Sequence, residues 1–181
     1  MARKETITRD TVREGAFDLL RKEGAAMLTA RKLATHIGCS TQPIFRLYEN
    51  MDKLNSEVFA MAREYYENYY QKFYVESDTP FVGLCMAYVN FAKTEKNMFE
   101  FLFMSKNKES TLYELVNGGE NAYVIKELKK IPNLKMDIAE NIFTKVFIFM
   151  HGFASMTICG EFDVSEEETK SMLTEAIKSF L

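Results

Sequence analysis

Thr41, Gln42, Pro43, Phe45 and Arg46 fall within one short stretch, and their side chains suit the edges of nucleic-acid bases. Glutamine can bond adenine N6 and N7 together, arginine can fork onto guanine, and an apolar Pro43 or Phe45 can touch a thymine methyl. Around them Thr29, Arg31, Lys32 and Lys53 supply donors of the kind that hold phosphates and orient a protein without reading sequence. Such chemistry needs a short helix with polar side chains near its N-terminus and an apolar side packed on a preceding helix.

The local signals predict that arrangement. Val12, Ala16, Leu19 and Leu20 recur at helical spacing between Thr8 and Glu23, and Gly24 stops the helix. Thr29 caps a second helix with an inward stripe of Leu33, Ala34 and Ile37, ended by Gly38. After a GlyCysSer turn, Ser40 caps a third helix over Thr41 to Leu47, with Pro43 in its first turn and Ile44 facing inward. This is the pattern of a helix-turn-helix unit. An ordinary helical hairpin with a solvated polar face fits the same spacing.

Charge is modestly uneven along the chain, which by itself suits a nucleic-acid partner and a plain solvated surface alike. Residues 1 to 53 hold 10 Lys/Arg against 7 Asp/Glu, while residues 54 to 181 hold 13 against 19, so a polyanion would meet the first third. Glycine and proline are about 6% of the 181 residues, half the usual share, which favours an all-α chain. Asn50 caps a long fourth helix with Leu54, Val58, Met61, Tyr65, Tyr69 and Phe73 on one face. Further helices are predicted at Phe81 to Lys93, Asn97 to Met104, Leu112 to Lys130, Lys135 to Gly160 and Ser165 to Phe180. The expected organisation is a helix-turn-helix domain over residues 1–50 and a larger helical body over 51–181.

The segment LeuThrAlaArgLysLeuAlaThrHisIleGlyCysSerThrGlnProIlePheArgLeuTyrGluAsnMetAspLysLeu, residues 28 to 54, resembles the TetR family of transcriptional regulators. The shared pattern is a threonine, basic residues, a Leu-Ala pair, Gly and Ser, an aliphatic-aromatic pair, a final aromatic, and an acidic-x-Leu opening the fourth helix. The resemblance covers about 50 residues with the first helix included. It departs from the family at Leu47, where histidine is usual, at Met51, where a phosphate-binding lysine is usual, and at Phe45, which replaces a tyrosine. It implies a homodimer on a palindromic double-stranded operator, usually as a repressor, released by a small effector. The implied DNA contacts are Thr29, Arg31, Lys32, Ser40, Thr41, Gln42, Pro43, Phe45, Arg46, Tyr48 and Lys53.

In the body, Tyr65, Tyr69, Tyr88, Phe91, Met104, Tyr123, Phe147, Met150 and His151 are the candidate lining of an apolar or amphipathic effector site. The tyrosines and His151 place polar groups in an apolar setting and need partners there. The same side chains would also serve as plain core. Two C-terminal helices, one apolar almost all round from Ile142 to Cys159 and one with Leu173, Ala176, Ile177 and Phe180 in a stripe, are expected to form the homodimer interface. Burial within one subunit would satisfy them equally.

Other classes are disfavoured. Cys39, Cys85 and Cys159 are odd in number and far apart, which fits a reducing cytoplasm and neither a disulfide framework nor a CxxC site. The charged start MARKETITRD has no apolar stretch after it, and the longest nearly uncharged run, Val146 to Cys159, is 14 residues, so neither a signal peptide nor a membrane span is expected. With His36 and His151 as the only histidines and no GxSxG, HExxH or glycine-rich phosphate loop, an enzyme is not expected, nor a metal or cofactor. The alternative function is a helical small-molecule-binding or interaction module without operator specificity.

Overall fold

Helix α1, Arg9–Glu23, begins where the Thr8 hydroxyl accepts the Thr11 amide and ends at Gly24, whose φ of 86° suits a residue without a side chain. Val12, Ala16, Leu19 and Leu20 are its buried stripe. A 3₁₀ turn, Ala25–Met27, leads to α2, Ala30–His36, capped by Thr29 accepting from the Lys32 amide. Gly38 takes φ 72°, and the Cys39 amide returns to the Ala34 carbonyl at 2.8 Å, closing the turn into α3, Thr41–Leu47. The structure, a computed structural model, describes residues 7–75, 80–105 and 136–180.

Asn50 accepts the Lys53 amide at 3.0 Å and opens α4, Met51–Val75, about 37 Å long at 1.5 Å per residue. Next come α5, Pro80–Thr94, and α6, Lys96–Phe99, which continues into a π turn over Glu100–Met104. The last two are α7, Met136–Ile158, and α8, Glu166–Phe180. At the start of α8, Ser165 and Glu168 form a reciprocal capping box: the Glu168 amide donates to Ser165 Oγ, and Ser165 N donates to Glu168 Oε2. The fold is all-α, and among the described residues there is no strand. The helix expected over Leu112 to Lys130 lies outside the described residues.

The described residues pack as two compact units, one within Met1–Glu64 and Asn97–Glu109, the other within Tyr65–Lys96 and Ser110–Leu181. In the first, α1 packs on α2 and α2 on α3. Gly15 makes the α1–α2 approach possible, because a Cβ there would sit under 3.0 Å from Ile37 Cγ2. In the second, α5, α7 and α8 pack on one another.

The buried face of α4 differs from the stripe read in the sequence. Leu54, Val58, Phe59, Ala62, Tyr66 and Tyr70 are buried, whereas Met61, Tyr65 and Tyr69 are half-buried. Successive steps of four residues overshoot the 3.6-residue turn, so the buried line moves around the axis along the helix. Its two ends serve different units, and each is set by its own neighbours.

Candidate functional site

Helix α3 is seven residues long, and Ile44 is its one buried side chain. The opposite side carries Gln42 and Arg46, both exposed, and Phe45, 51% exposed despite its size. Gln42, Pro43, Phe45 and Arg46 together line an open hollow. Thr41 and Pro43 are half-buried at the helix start. The amphipathic division expected of a base-reading helix is therefore present. Ser40 holds the N-cap position with extended backbone but makes no side-chain capping bond, and it is exposed.

Two sets of cations in this unit contrast. On α1, Arg9 pairs with Glu57, Arg13 with Asp10 at 3.0 Å, and Lys22 with Asp18 at 2.8 Å. Asp18 also meets His36 Nε2 at 2.8 Å, and Lys22 together with His36 holds its carboxyl below the usual range. By contrast, the side chains of Arg31, Lys32, Arg46 and Lys53 are exposed and make no ion pair among the described residues. They lie on α2, on α3 and at the start of α4. Exposed acids on the adjoining stretch are Glu49 and Asp52. Thr29 is exposed but already accepts the Lys32 amide, so its hydroxyl is left mainly as a donor.

Tyr48 requires a correction. It is 2% exposed, its hydroxyl donates to Glu57 Oε2 at 2.7 Å, and the Arg9 guanidinium covers its ring at 4.5 Å from the centroid. Burial, then the Glu57 hydrogen bond, push its hydroxyl up to about 12. It is an internal contact and is removed from the set of outward-facing residues. Arg9 and Glu57 had no sequence signal, because they lie 48 residues apart.

In the second unit the aromatic candidates form a connected cluster. Phe91, fully buried, meets Tyr66 at 5.0 Å, Tyr69 at 5.2 Å and Tyr65 at 6.3 Å between ring centroids. Tyr88 meets Tyr66 and Phe147 edge-on, and Phe147 stacks on His151 at 5.7 Å. Two polar pairs are set among these rings. Tyr65 donates to Glu95 Oε1 at 2.7 Å, and Tyr88 shares a 2.8 Å hydrogen bond with His151 Nδ1. Burial lowers the His151 pKa below its usual 6.5 and raises those of Tyr66, Tyr70 and Tyr88, so these groups are neutral near pH 7. The periodicity did not single out Tyr66 and Tyr70, both 5% exposed, although they belong to the cluster. Met150 is buried on α7. Met104 belongs to the first unit and is 46% exposed, and Tyr123 lies outside the described residues.

On the same unit, α7 buries Ile142, Phe143, Val146, Met150, Phe153 and Ala154. Its other side leaves Ile148 66% and Met156 46% exposed. With Phe149, Gly152, Phe153, Phe162 and Met172 of α8 they line an apolar groove of about 290 Å³. Among the described residues, no group of three or more His, Cys, Asp or Glu side chains is placed to hold a metal ion, and no helix is long and apolar enough to cross a membrane.

No protein-family profile matches this chain, and no curated protein matches it in sequence. Among solved structures, it is similar to that of a Rhodococcus sp. protein provisionally described as a TetR-family transcriptional regulator. The two share 15% sequence identity over 95% of this chain and 97% of that one, with a TM-score of 0.62. At that identity the likeness is one of fold: an all-α, TetR-like architecture along nearly the whole chain.

Proposed function

We infer that this chain is a TetR-like transcriptional regulator whose α3 reads a DNA operator in the major groove. The observation that carries the reading is the two-sided α3: Ile44 buried on one side, Gln42, Phe45 and Arg46 exposed on the other. The ion-pair pattern supports it. Arg9, Arg13 and Lys22 of α1 are paired within the unit, while Arg31, Lys32, Arg46 and Lys53 remain available to phosphates or guanine. In this reading Thr29, Arg31, Lys32 and Lys53 set the register on the backbone. Ser40, Thr41, Gln42, Pro43, Phe45 and Arg46 face the bases.

The protein acts as a homodimer, with two copies of α3 in successive major grooves about 34 Å apart on a roughly palindromic site. The exposed apolar groove between α7 and α8 supports a dimer through those helices, because Ile148, Met156 and Met172 face water in the single chain. The effector is small and apolar or amphipathic. The aromatic cluster of the second unit supports this: its rings offer area, and the Tyr65–Glu95 and Tyr88–His151 pairs offer polar handles. Repression is lifted when the effector prefers the state that does not fit the operator, since equal affinity for both states shifts nothing.

The test starts from duplexes selected by the protein from a random pool. Gln42→Ala and Arg46→Ala should each relax preference at one position of the selected site, costing about 1–3 kcal/mol of discrimination. Lys32→Ala should weaken all duplexes alike and lower the salt slope by about 1. Variants that remain folded and leave base preference unchanged would support the alternative of a helical binding module without operator specificity.

A further inference from the structure

Ile44 is the single buried residue within α3, and a helix of seven residues has little stability of its own. One central anchor leaves such a helix free to pivot. The second anchor is Tyr48, its C-cap residue, whose amide donates to the Ile44 carbonyl at 2.9 Å and whose side chain is buried. Tyr48 donates to Glu57 on α4, Glu57 accepts from Arg9 at the start of α1, and Arg9 covers the Tyr48 ring. The three contacts close into a ring that ties the end of α3 to α1 and α4.

We propose that Arg9, Tyr48 and Glu57 are positioning residues that fix the direction of α3 and so hold Gln42 and Arg46 in register with the bases. The inference rests on the reading of α3 as a base-reading helix. Arg9 and Glu57 are partly exposed, so each pair alone would be weak. Closure changes this, because each contact limits the freedom of the other two, so loss of any one loosens the whole ring. The charge states agree with the geometry. Arg9, more than Tyr48, holds the Glu57 carboxyl below its usual 4.5, so it remains an acceptor for both partners at neutral pH. Arg13 also faces Glu57 electrostatically, so removing Arg9 does not leave the carboxylate in a purely neutral setting. A tether acting only on stability would change how much protein is folded. A tether acting on direction changes which bases the folded protein reads.

The experiment uses the full chain with Tyr48→Phe and Glu57→Gln, both close to isosteric, well below each variant's thermal midpoint. Affinity is measured for the duplex that the wild-type protein selects from a random pool and for a scrambled duplex of equal length. The expected result is an about tenfold loss on the selected duplex, the size of losing one hydrogen bond to a charged group. Affinity for the scrambled duplex should stay within about twofold, because Arg31, Lys32 and Lys53 are untouched. Amide exchange at Phe45 to Tyr48 should also rise in Tyr48→Phe, while that at Leu19 and Leu20 does not change. Unchanged affinity for the selected duplex, or equal weakening of both, would overturn the proposal. If the wild-type protein selects no duplex, the operator reading and the base-register role both fall. Unchanged exchange in α3 would then remove the clamp as well.

Discussion

Substituting Gly15 by alanine tests the approach of α1 to α2, on which the placement of the turn and α3 depends. Two effects oppose each other. Alanine in a helix interior is favoured over glycine by about 1 kcal/mol. Against this, the new Cβ would meet Ile37 Cγ2 under 3.0 Å, with Leu33 Cδ1 at 3.6 Å. Carbon atoms pack best at about 3.5–4.0 Å, and relieving an overpacked contact costs about 1–3 kcal/mol. Ile37 cannot give way cheaply: Cγ2 is attached directly to Cβ, and a β-branched side chain has few alternative rotamers. The clash should outweigh the propensity gain, for a net loss of up to about 2 kcal/mol. At about 2–4 °C per kcal/mol for a chain of this size, the thermal midpoint falls by several degrees. Urea unfolding should show a lower midpoint with an unchanged slope. In an Ile37→Ala background, where the clashing methyl is gone, Gly15→Ala should instead stabilise the protein. A Gly15→Ala protein as stable as wild type, with no coupling to Ile37, would refute the packing argument.

Three further outcomes follow from the same geometry. Thr29→Ala removes the acceptor for the Lys32 amide and should cost about 0.5–2 kcal/mol of stability in chemical denaturation. Alkaline titration should unfold the protein as tyrosines ionise. Tyr48 is raised from 10.0 to about 12 on folding, so its stabilisation is complete below pH 10 and is lost as pH rises towards 12, and buried Tyr66, Tyr70 and Tyr88 act in the same direction. Tyrosinate absorbance that rose in full before any loss of helix signal would contradict this. Ile148→Glu, at a site 66% exposed, should leave the subunit folded yet shift sedimentation from dimer to monomer. An unaltered dimer would place the interface elsewhere.

Local signals were legible in the sequence. Thr29, Asn50 and Gly24 act as helix boundaries because a cap depends on residues within one turn of it. The span of α3 and its buried Ile44 were readable for the same reason. What escaped depends on distant partners. Tyr48 carries no local mark that would send it inward; Arg9 and Glu57, far apart in sequence, do so. The Asn97 amide donates to the Arg21 carbonyl across 76 residues, a link that periodicity does not encode. The π turn after α6 and the moving buried face of α4 are likewise products of packing. Tyrosines at 65, 66, 69 and 70 are equivalent by composition, and only tertiary packing separates buried Tyr66 and Tyr70 from half-buried Tyr65 and Tyr69.

The most direct test of the central claim is the ratio of two affinities at one salt concentration: that for the duplex the protein itself selects and that for a scrambled duplex of the same length. A regulator reading bases through Gln42 and Arg46 should bind the selected duplex at least about 10³-fold more tightly. A ratio near one, with the protein folded, would contradict the account.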